Sequence, residues 1–196
     1  PGGVSSAIFR VDEPGRTFVV KRALEQLRVA QPWFADVSRN RYEQAFLQYV
    51  ARFRPDAVPQ VIWSAPDADY FCMEYLDGFS TWKDDLLAGQ FDRRLAQAAG
   101  TLLGEIHERS WEDAAAERQF DSTENFDQLR IDPYLRAAAG EQPVVAEPLH
   151  TEATRLRNTR RCLVHGDFSP KNLLHRDGRL VVVDCEVAWY GDPAFD

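Results

Sequence analysis

Asp177-Gly178, set between the apolar runs Leu173-Leu174-His175 and Arg179-Leu180-Val181-Val182-Val183, constrains this chain more than any other feature. An Asp-Gly pair tolerates the positive φ angles of a two-residue hairpin turn, so the flanking runs pair as an antiparallel ribbon. Folding about that turn sets Asn172 opposite Val183 or Asp184, according to whether the loop holds two or three residues. In either register an amide oxygen and a carboxylate leave the ribbon at the same end. Magnesium favours hard oxygen donors and completes its shell with water and substrate phosphates, so this pair suffices to hold it beside a bound nucleotide. Five residues before the asparagine, Asp167 stands in a loop turned by Ser169-Pro170 that can carry its carboxylate toward the same point.

Upstream, the pattern changes character once. Two β-prone stretches, Val4 to Val11 and Arg16 to Lys21, are separated by the turn cluster Glu13-Pro14-Gly15 and read as a hairpin. Between Ser38 and Phe53 the apolar residues Tyr42, Ala45, Phe46, Tyr49, Val50 and Phe53 recur at three and four, which predicts an amphipathic helix with Ser38 as N-cap. Short strands follow at Val61 to Ser64 and Tyr70 to Tyr75, and Leu76-Asp77-Gly78 loosens the pattern into a linker. Beyond it, Leu95, Ala98, Ala99, Leu102, Leu103 and Ile106 form a second helical stripe capped by Asp92. The region on to Asn158 is helical too, broken into pieces by Pro133, Gly140, Pro143 and Pro148. Within it Phe126, Leu129, Ile131 and Tyr134 read first as core packing and second as acceptor contacts. The expectation is an α+β fold of two lobes, a small antiparallel-sheet lobe with one main helix (1–76) and a mostly helical lobe (77–196), with a ligand cleft between them.

Bulk properties narrow the function. The net charge of −8 opposes non-specific binding to nucleic acid, which depends on lysine and arginine neutralising phosphates. No apolar run approaches the roughly 20 residues of a membrane-spanning helix, and no signal peptide opens the sequence, so a cytoplasmic protein without a membrane partner is expected. Cys72, Cys162 and Cys185 are odd in number and far apart, and read as reduced thiols. An acidic protein could also draw in cationic acceptors.

The first lobe supplies candidates of its own. Lys21 ends a strand and Glu43 lies near the start of the next helix, the order in which a phosphate-binding cation and its supporting carboxylate occur. Gly2-Gly3-Val4-Ser5-Ser6 could lay backbone amides and hydroxyls over phosphates, with Gly3, Ser5 and Ser6 as candidates, although the sequence has no GxGxxG. Met73-Glu74-Tyr75-Leu76 runs through the connector, where backbone groups of Glu74 and Leu76 could grip adenine.

Together, His165-Gly166-Asp167 with Asn172 and Asp184, the helix bearing Leu103-Gly104-Glu105-Ile106-His107, and the closing Gly191-Asp192-Pro193-Ala194-Phe195-Asp196 resemble the aminoglycoside phosphotransferase and choline kinase superfamily, which has a protein-kinase-like bilobal fold. The resemblance implies an ATP- and magnesium-dependent kinase that phosphorylates a hydroxyl of a small molecule. It casts Asp167 as catalytic base, Asn172 and Asp184 as magnesium ligands, Lys21 and Glu43 as the phosphate-binding pair, and His165 as a loop organiser. Asp184-Cys185-Glu186 and the run through Arg28-Val29-Ala30 to Pro32-Trp33 are similar to methylthioribose kinases, which adds a sugar to the possible acceptors and leaves Glu186 without an assigned role. Members of the superfamily continue well past this point, so the chain reads as a fragment lacking its C-terminal part and an opening strand. The alternatives are a nucleotide-binding pseudokinase, which would commonly lack one of these charged residues, and a two-metal phosphoesterase, for which no second histidine and aspartate set stands at suitable spacing.

Overall fold

The computed structural model describes residues 3–30, 32–65 and 69–196; Gly2 of the glycine pair lies outside them. Strands β1 (Ser6–Glu13) and β2 (Arg16–Ala23) pair antiparallel about Pro14-Gly15, and with β3 (Val61–Ser64) and β4 (Tyr70–Glu74) they form a sheet of order β1-β2-β4-β3. The hairpin starts and ends two residues later than the sequence suggests. Val4 and Ser5 instead accept from Arg28 and Leu24, so they tie the strand to the segment after β2 rather than extend it.

Helix α1 (Arg39–Ala51) packs behind this sheet, with Phe46, Leu47 and Val50 fully buried against Phe71 of β4. Ser38 does not cap it through its side chain. The residue is already helical at φ −57°, ψ −19°, and Asp36 Oδ1 accepts its N–H at 2.7 Å.

After the connector come β5 (Ser80–Thr81), α2 (Trp82–Leu87) and α3 (Arg93–Ser110). Asp92 caps α3 by accepting from Arg94 N at 2.8 Å, and the buried stripe Leu95, Ala99, Leu102, Ile106 faces the core. Then follow α4 (Ala114–Gln119), α5 (Thr123–Phe126), a π-helix (Asp127–Arg136), α6 (Ala137–Glu141) and α7 (Ala146–Asn158). Of the four expected breakers only Pro143 opens a new piece, a 3₁₀ turn. Pro148 sits in the first turn of α7, where its missing N–H has no helical partner to lose. Pro133 lies inside the π-helix, whose wider turn relieves the clash with the preceding carbonyl. Gly140 is simply helical in α6.

The chain closes with β6 (Cys162–Val164), β7 (Leu173–Arg176), β8 (Arg179–Val182) and β9 (Trp189–Gly191), as β5-β7-β8 and β6-β9 sheets. One hydrophobic cluster runs from α1 and β4 through α3 to β8. A second joins Leu27 and Ala35 to Phe126, Leu129, Ile131, Val164 and Trp189. In the second, Phe126 stacks on the fully buried Trp189 at 4.1 Å between ring centroids. Burying side chains of this size contributes about 1.5–3 kcal/mol each.

That second cluster carries the stretch after β2 across to the helical part. Gln26 and Phe34 bridge, Trp33 Nε1 donates to Gln128 O at 2.9 Å, and Asp36 N donates to Gln128 Oε1 at 2.8 Å. Phe126, Leu129 and Ile131 are therefore core, whereas Tyr134 is exposed beside the cleft. The three cysteines are free thiols. No helix among the described residues is long and apolar enough to cross a membrane.

Candidate active site

The β7-β8 ribbon has the two-residue loop, with Asp177 at φ +50° and Gly178 at φ +82°. This settles the register: Leu173 faces Val182, Val183 N donates to Asn172 O at 3.0 Å, and Asp184 leaves one residue further on. Asn172 donates its side-chain Nδ2 to Asp167 O at 2.9 Å, which leaves its amide oxygen for another partner. Asp184 is at φ +60°, a left-handed conformation that costs roughly 1–2 kcal/mol and that aspartate tolerates better than most residues. Such strain gathers at functional positions.

The loop holding Asp167 is pinned from two sides. His165 Nε2 donates to Val183 O at 3.1 Å, and its Nδ1 accepts from Asp167 N at 3.1 Å. Complete burial lowers the His165 pKa, which fits a neutral ring with one donor and one acceptor. From the far end of the chain, Asp196 Oδ2 accepts from His165 N at 2.7 Å and Oδ1 from Gly166 N at 2.8 Å, with His107 Nε2 3.2 Å away. Gly166 is at φ +78°, and a Cβ there would lie 2.8 Å from Val187 O, so the residue between histidine and aspartate has to be glycine.

Lys21 and Glu43 meet. Lys21 Nζ lies 2.7 Å from Glu43 Oε1 and 2.6 Å from Asp184 Oδ1, and the first two side chains are each 2% exposed. β2 and α1 place them: the Lys21 side chain turns from the sheet toward the helix face that also buries Phe46 and Val50. Burial works against the Lys21 charge, but Asp184, Glu43 and Glu186 outweigh it and hold its pKa well above the ordinary lysine value. Burial pushes the Glu43 carboxyl up to about 7 against the pull of Lys21, and Glu43 Oε2 has no hydrogen-bond partner among the described residues. Lys21 holds the half-exposed Asp184 below the usual carboxylate range.

These groups open onto a cleft of about 740 Å³, lined also by Gly3, Ser5, Ser6, Glu74 and Leu76. Two of those residues differ in detail from the sequence expectation. The Ser6 hydroxyl is buried and donates to Glu186 Oε2 at 3.3 Å, so it is not free for a phosphate. Glu74 N is taken by Gln60 O at 2.8 Å and its carboxylate by Arg179, whereas Leu76 N is among the connector donors without a partner among the described residues.

Several residues with clear structural work were not singled out from sequence. Arg39 is fully buried and donates to Glu186 Oε2 (3.2 Å), Ser5 O (2.8 Å), Leu24 O, Ala35 O (3.0 Å) and Asp36 O (2.8 Å), joining both ends of the sheet hairpin to the segment after Asp184. Arg130 and Lys171 both approach Asp167. None of the three carries a signal in the sequence beyond its charge, since the partners of each are fixed only by the fold.

A two-lobed cleft with these groups at its mouth is the arrangement of a kinase-like phosphotransferase. The chain belongs to the phosphotransferase enzyme family (APH), which it matches over residues 1–196. It is similar to the methylthioribose kinase of Pectobacterium carotovorum subsp. carotovorum (strain PC1), 25% identical over 225 residues covering 99% of this chain, and to that of Escherichia coli O45:K1 (strain S88 / ExPEC), also 25% identical over 223 residues. The chain spans 56% of the first of these and 53% of the second. In fold it is similar to an amicoumacin kinase, hAmiN, in complex with AMP-PNP, Ca2+ and Ami (TM-score 0.61, 15% identity, 96% of this chain and 58% of that one). It is also similar to the aminoglycoside phosphotransferase of a gentamicin-APH(2")-IIa complex (TM-score 0.55, 22% identity, 99% and 66%).

Proposed function

We propose that this protein transfers a phosphoryl group from ATP to a hydroxyl of a small molecule, in the cytoplasm, where ATP is available. Residues 1–76 act as the ATP-binding lobe and 77–196 as the catalytic lobe. The observation that carries the reading is the convergence of Lys21, Glu43, Asp184, Asn172 and Asp167 on one cleft.

Nucleotide would enter with its adenine edge at the Leu76 N–H and its phosphates toward Lys21. Glu43 keeps Lys21 charged and aimed, since a lone buried ammonium would otherwise shed its proton. The free amide oxygen of Asn172 and the Asp184 carboxylate are hard oxygen donors, a set that fits magnesium sharing its shell with phosphates. When bound, that ion neutralises charge on the phosphates. Asp167 orients the acceptor hydroxyl and takes its proton. His165, Gly166 and Asp196 hold the Asp167 backbone in place, and alignment of this kind supplies much of the rate in phosphoryl transfer.

For the acceptor we favour an uncharged sugar of the methylthioribose type. The relatives similar over most of this chain are named for that substrate. Charge near Asp167 supports the choice: one carboxylate faces two cations, Arg130 and Lys171, beside Trp33, Leu129 and Tyr134. Two cations against one carboxylate at this spot weigh against cationic aminoglycosides and choline, within a cleft lined overall by five acidic and three basic side chains.

The test is a phosphorylation screen of methylthioribose, aminoglycosides, choline and homoserine with the full-length protein and its Asp167→Asn variant. Wild-type protein should phosphorylate the sugar, and the variant should lose about 10²–10⁴-fold in turnover. Full phosphoryl transfer by Asp167→Asn would sink the assignment.

A further inference from the structure

Arg130 reaches Asp167 from an unusual place. It projects from the π-helix Asp127–Arg136, where the extra residue per turn lets Leu129 and Ile131 point into the core while Arg130 turns toward the catalytic loop. Its guanidinium is fixed by two backbone carbonyls: Nε donates to Gly166 O at 2.6 Å and Nη1 to Leu129 O at 2.8 Å. That leaves Nη2 3.1 Å from Asp167 Oδ2.

Lys171 Nζ approaches the same oxygen, at 2.8 Å. The two cations differ in how firmly they are held, since the Arg130 side chain is 15% exposed and that of Lys171 53%. The backbone of Asp167 is secured by His165 and Asn172, but neither contact orients its carboxylate. No hydrogen bond is made to Oδ1 among the described residues. One carboxylate oxygen of this cleft-lining residue is therefore held by two cations, and the other is left uncontacted among the described residues.

We infer that Arg130 is a positioning residue for phosphoryl transfer: it grips the Gly166 peptide and Asp167 Oδ2 together, so that Oδ1 is the oxygen presented to the acceptor hydroxyl. Lys171 assists from the solvent side. The inference rests on the function proposed above and adds to it a residue outside the motif that carries the catalytic aspartate. An arginine suits the task because its planar fork can hold a carbonyl and a carboxylate at once, which an ammonium on a flexible stem does not do.

The experiment compares wild type, Arg130→Ala, Arg130→Lys and Asp167→Asn in the full-length protein, with ATP and methylthioribose or whichever compound of the screen is phosphorylated. Arg130→Ala should lower kcat by about 10²-fold, the loss expected when a reacting group shifts by about 1 Å, with KM for ATP within about twofold of wild type. Guanidinium at tens of millimolar should recover about tenfold of that loss, which a merely structural defect would not allow. Arg130→Lys should fall between the two. Wild-type turnover in both Arg130 variants, with Asp167→Asn inactive, overturns this inference and leaves the proposed function standing. A loss that guanidinium does not relieve, accompanied by an equal loss of ATP affinity, also overturns it. If Arg130→Ala does not fold, as judged by its fluorescence melting curve, Arg130→Lys decides: wild-type kcat there refutes the role. Absence of turnover in the wild type removes both proposals together.

Discussion

Replacing Lys21 by methionine should separate stability from catalysis in a way that tests the buried ion pair directly. Lys21 and Glu43 are each 2% exposed, so Lys21→Met forces the Glu43 carboxyl, above pH 7, either to stay charged in the core with no counter-charge or to take up a proton. Breaking a buried pair from one side costs about 3–5 kcal/mol. For a chain of this size each kcal/mol moves the melting temperature by about 2–4 °C, so a fall of about 6–20 °C is expected. Asp184 also loses Lys21, but its side chain is 39% exposed and water can take over. Adding Glu43→Leu removes the stranded carboxylate and should return most of the lost stability, because apolar replacements of whole buried pairs are often neutral or stabilising. Neither variant should transfer phosphate. Urea unfolding followed by tryptophan fluorescence reads the stability, and ATP turnover reads the catalysis. The reasoning fails if Lys21→Met unfolds within about 1 kcal/mol of wild type, or if the double variant is no more stable than the single one.

The same carboxyl gives a pH signature. Burial raises Glu43 from its ordinary value of 4.5 to about 7, so the folded protein keeps a proton that the unfolded chain releases in between. Its contribution to stability is complete below 4.5 and is lost as pH rises to about 7, and Glu43→Gln should flatten the urea-midpoint slope across that window; an unchanged slope counts against the assignment. At Gly166, alanine would have to hold φ +78° with Cβ 2.8 Å from Val187 O. Gly166→Ala should therefore cost about 1–2 kcal/mol from the backbone alone and abolish turnover, and a variant that melts and turns over like wild type would contradict the picture of a pinned loop.

The parts of this fold that could be read from sequence are those in which a local rule and the tertiary structure agree. Asp177-Gly178 specified both the turn and the partner strands, and only the two-residue choice needed coordinates. The α1 and α3 stripes showed at their 3.6 period, and Asp92 caps as its type and position suggest. Elsewhere the local rule misleads. Ser38 has a capping side chain, yet a competing neighbour, Asp36, does the bonding, and Pro133 would end an α-helix but not a π-helix held by Leu129 and Ile131 in the core. Within the candidate site, spacing along the chain pointed to Asp167, Asn172 and Asp184, all within one stretch of 18 residues. Arg39 and Arg130 left no such trace, because each acts through backbone carbonyls and carboxylates remote in sequence. A single arginine in a helix carries no mark of what it will reach.

The crossing from Trp33 and Asp36 to Gln128 has a mechanical meaning. The sheet is joined to the helical part by the chain itself beyond Tyr75, where Arg176 holds Asp77 O, and again at this second point. Between the two lie Ser6 and Arg39 on Glu186, Lys21 on Asp184, and the core cluster that runs from α1 and β4 to β8. Fastened at so many separated places, the walls of the cleft share no free hinge line, and a nucleotide meets them already set against each other.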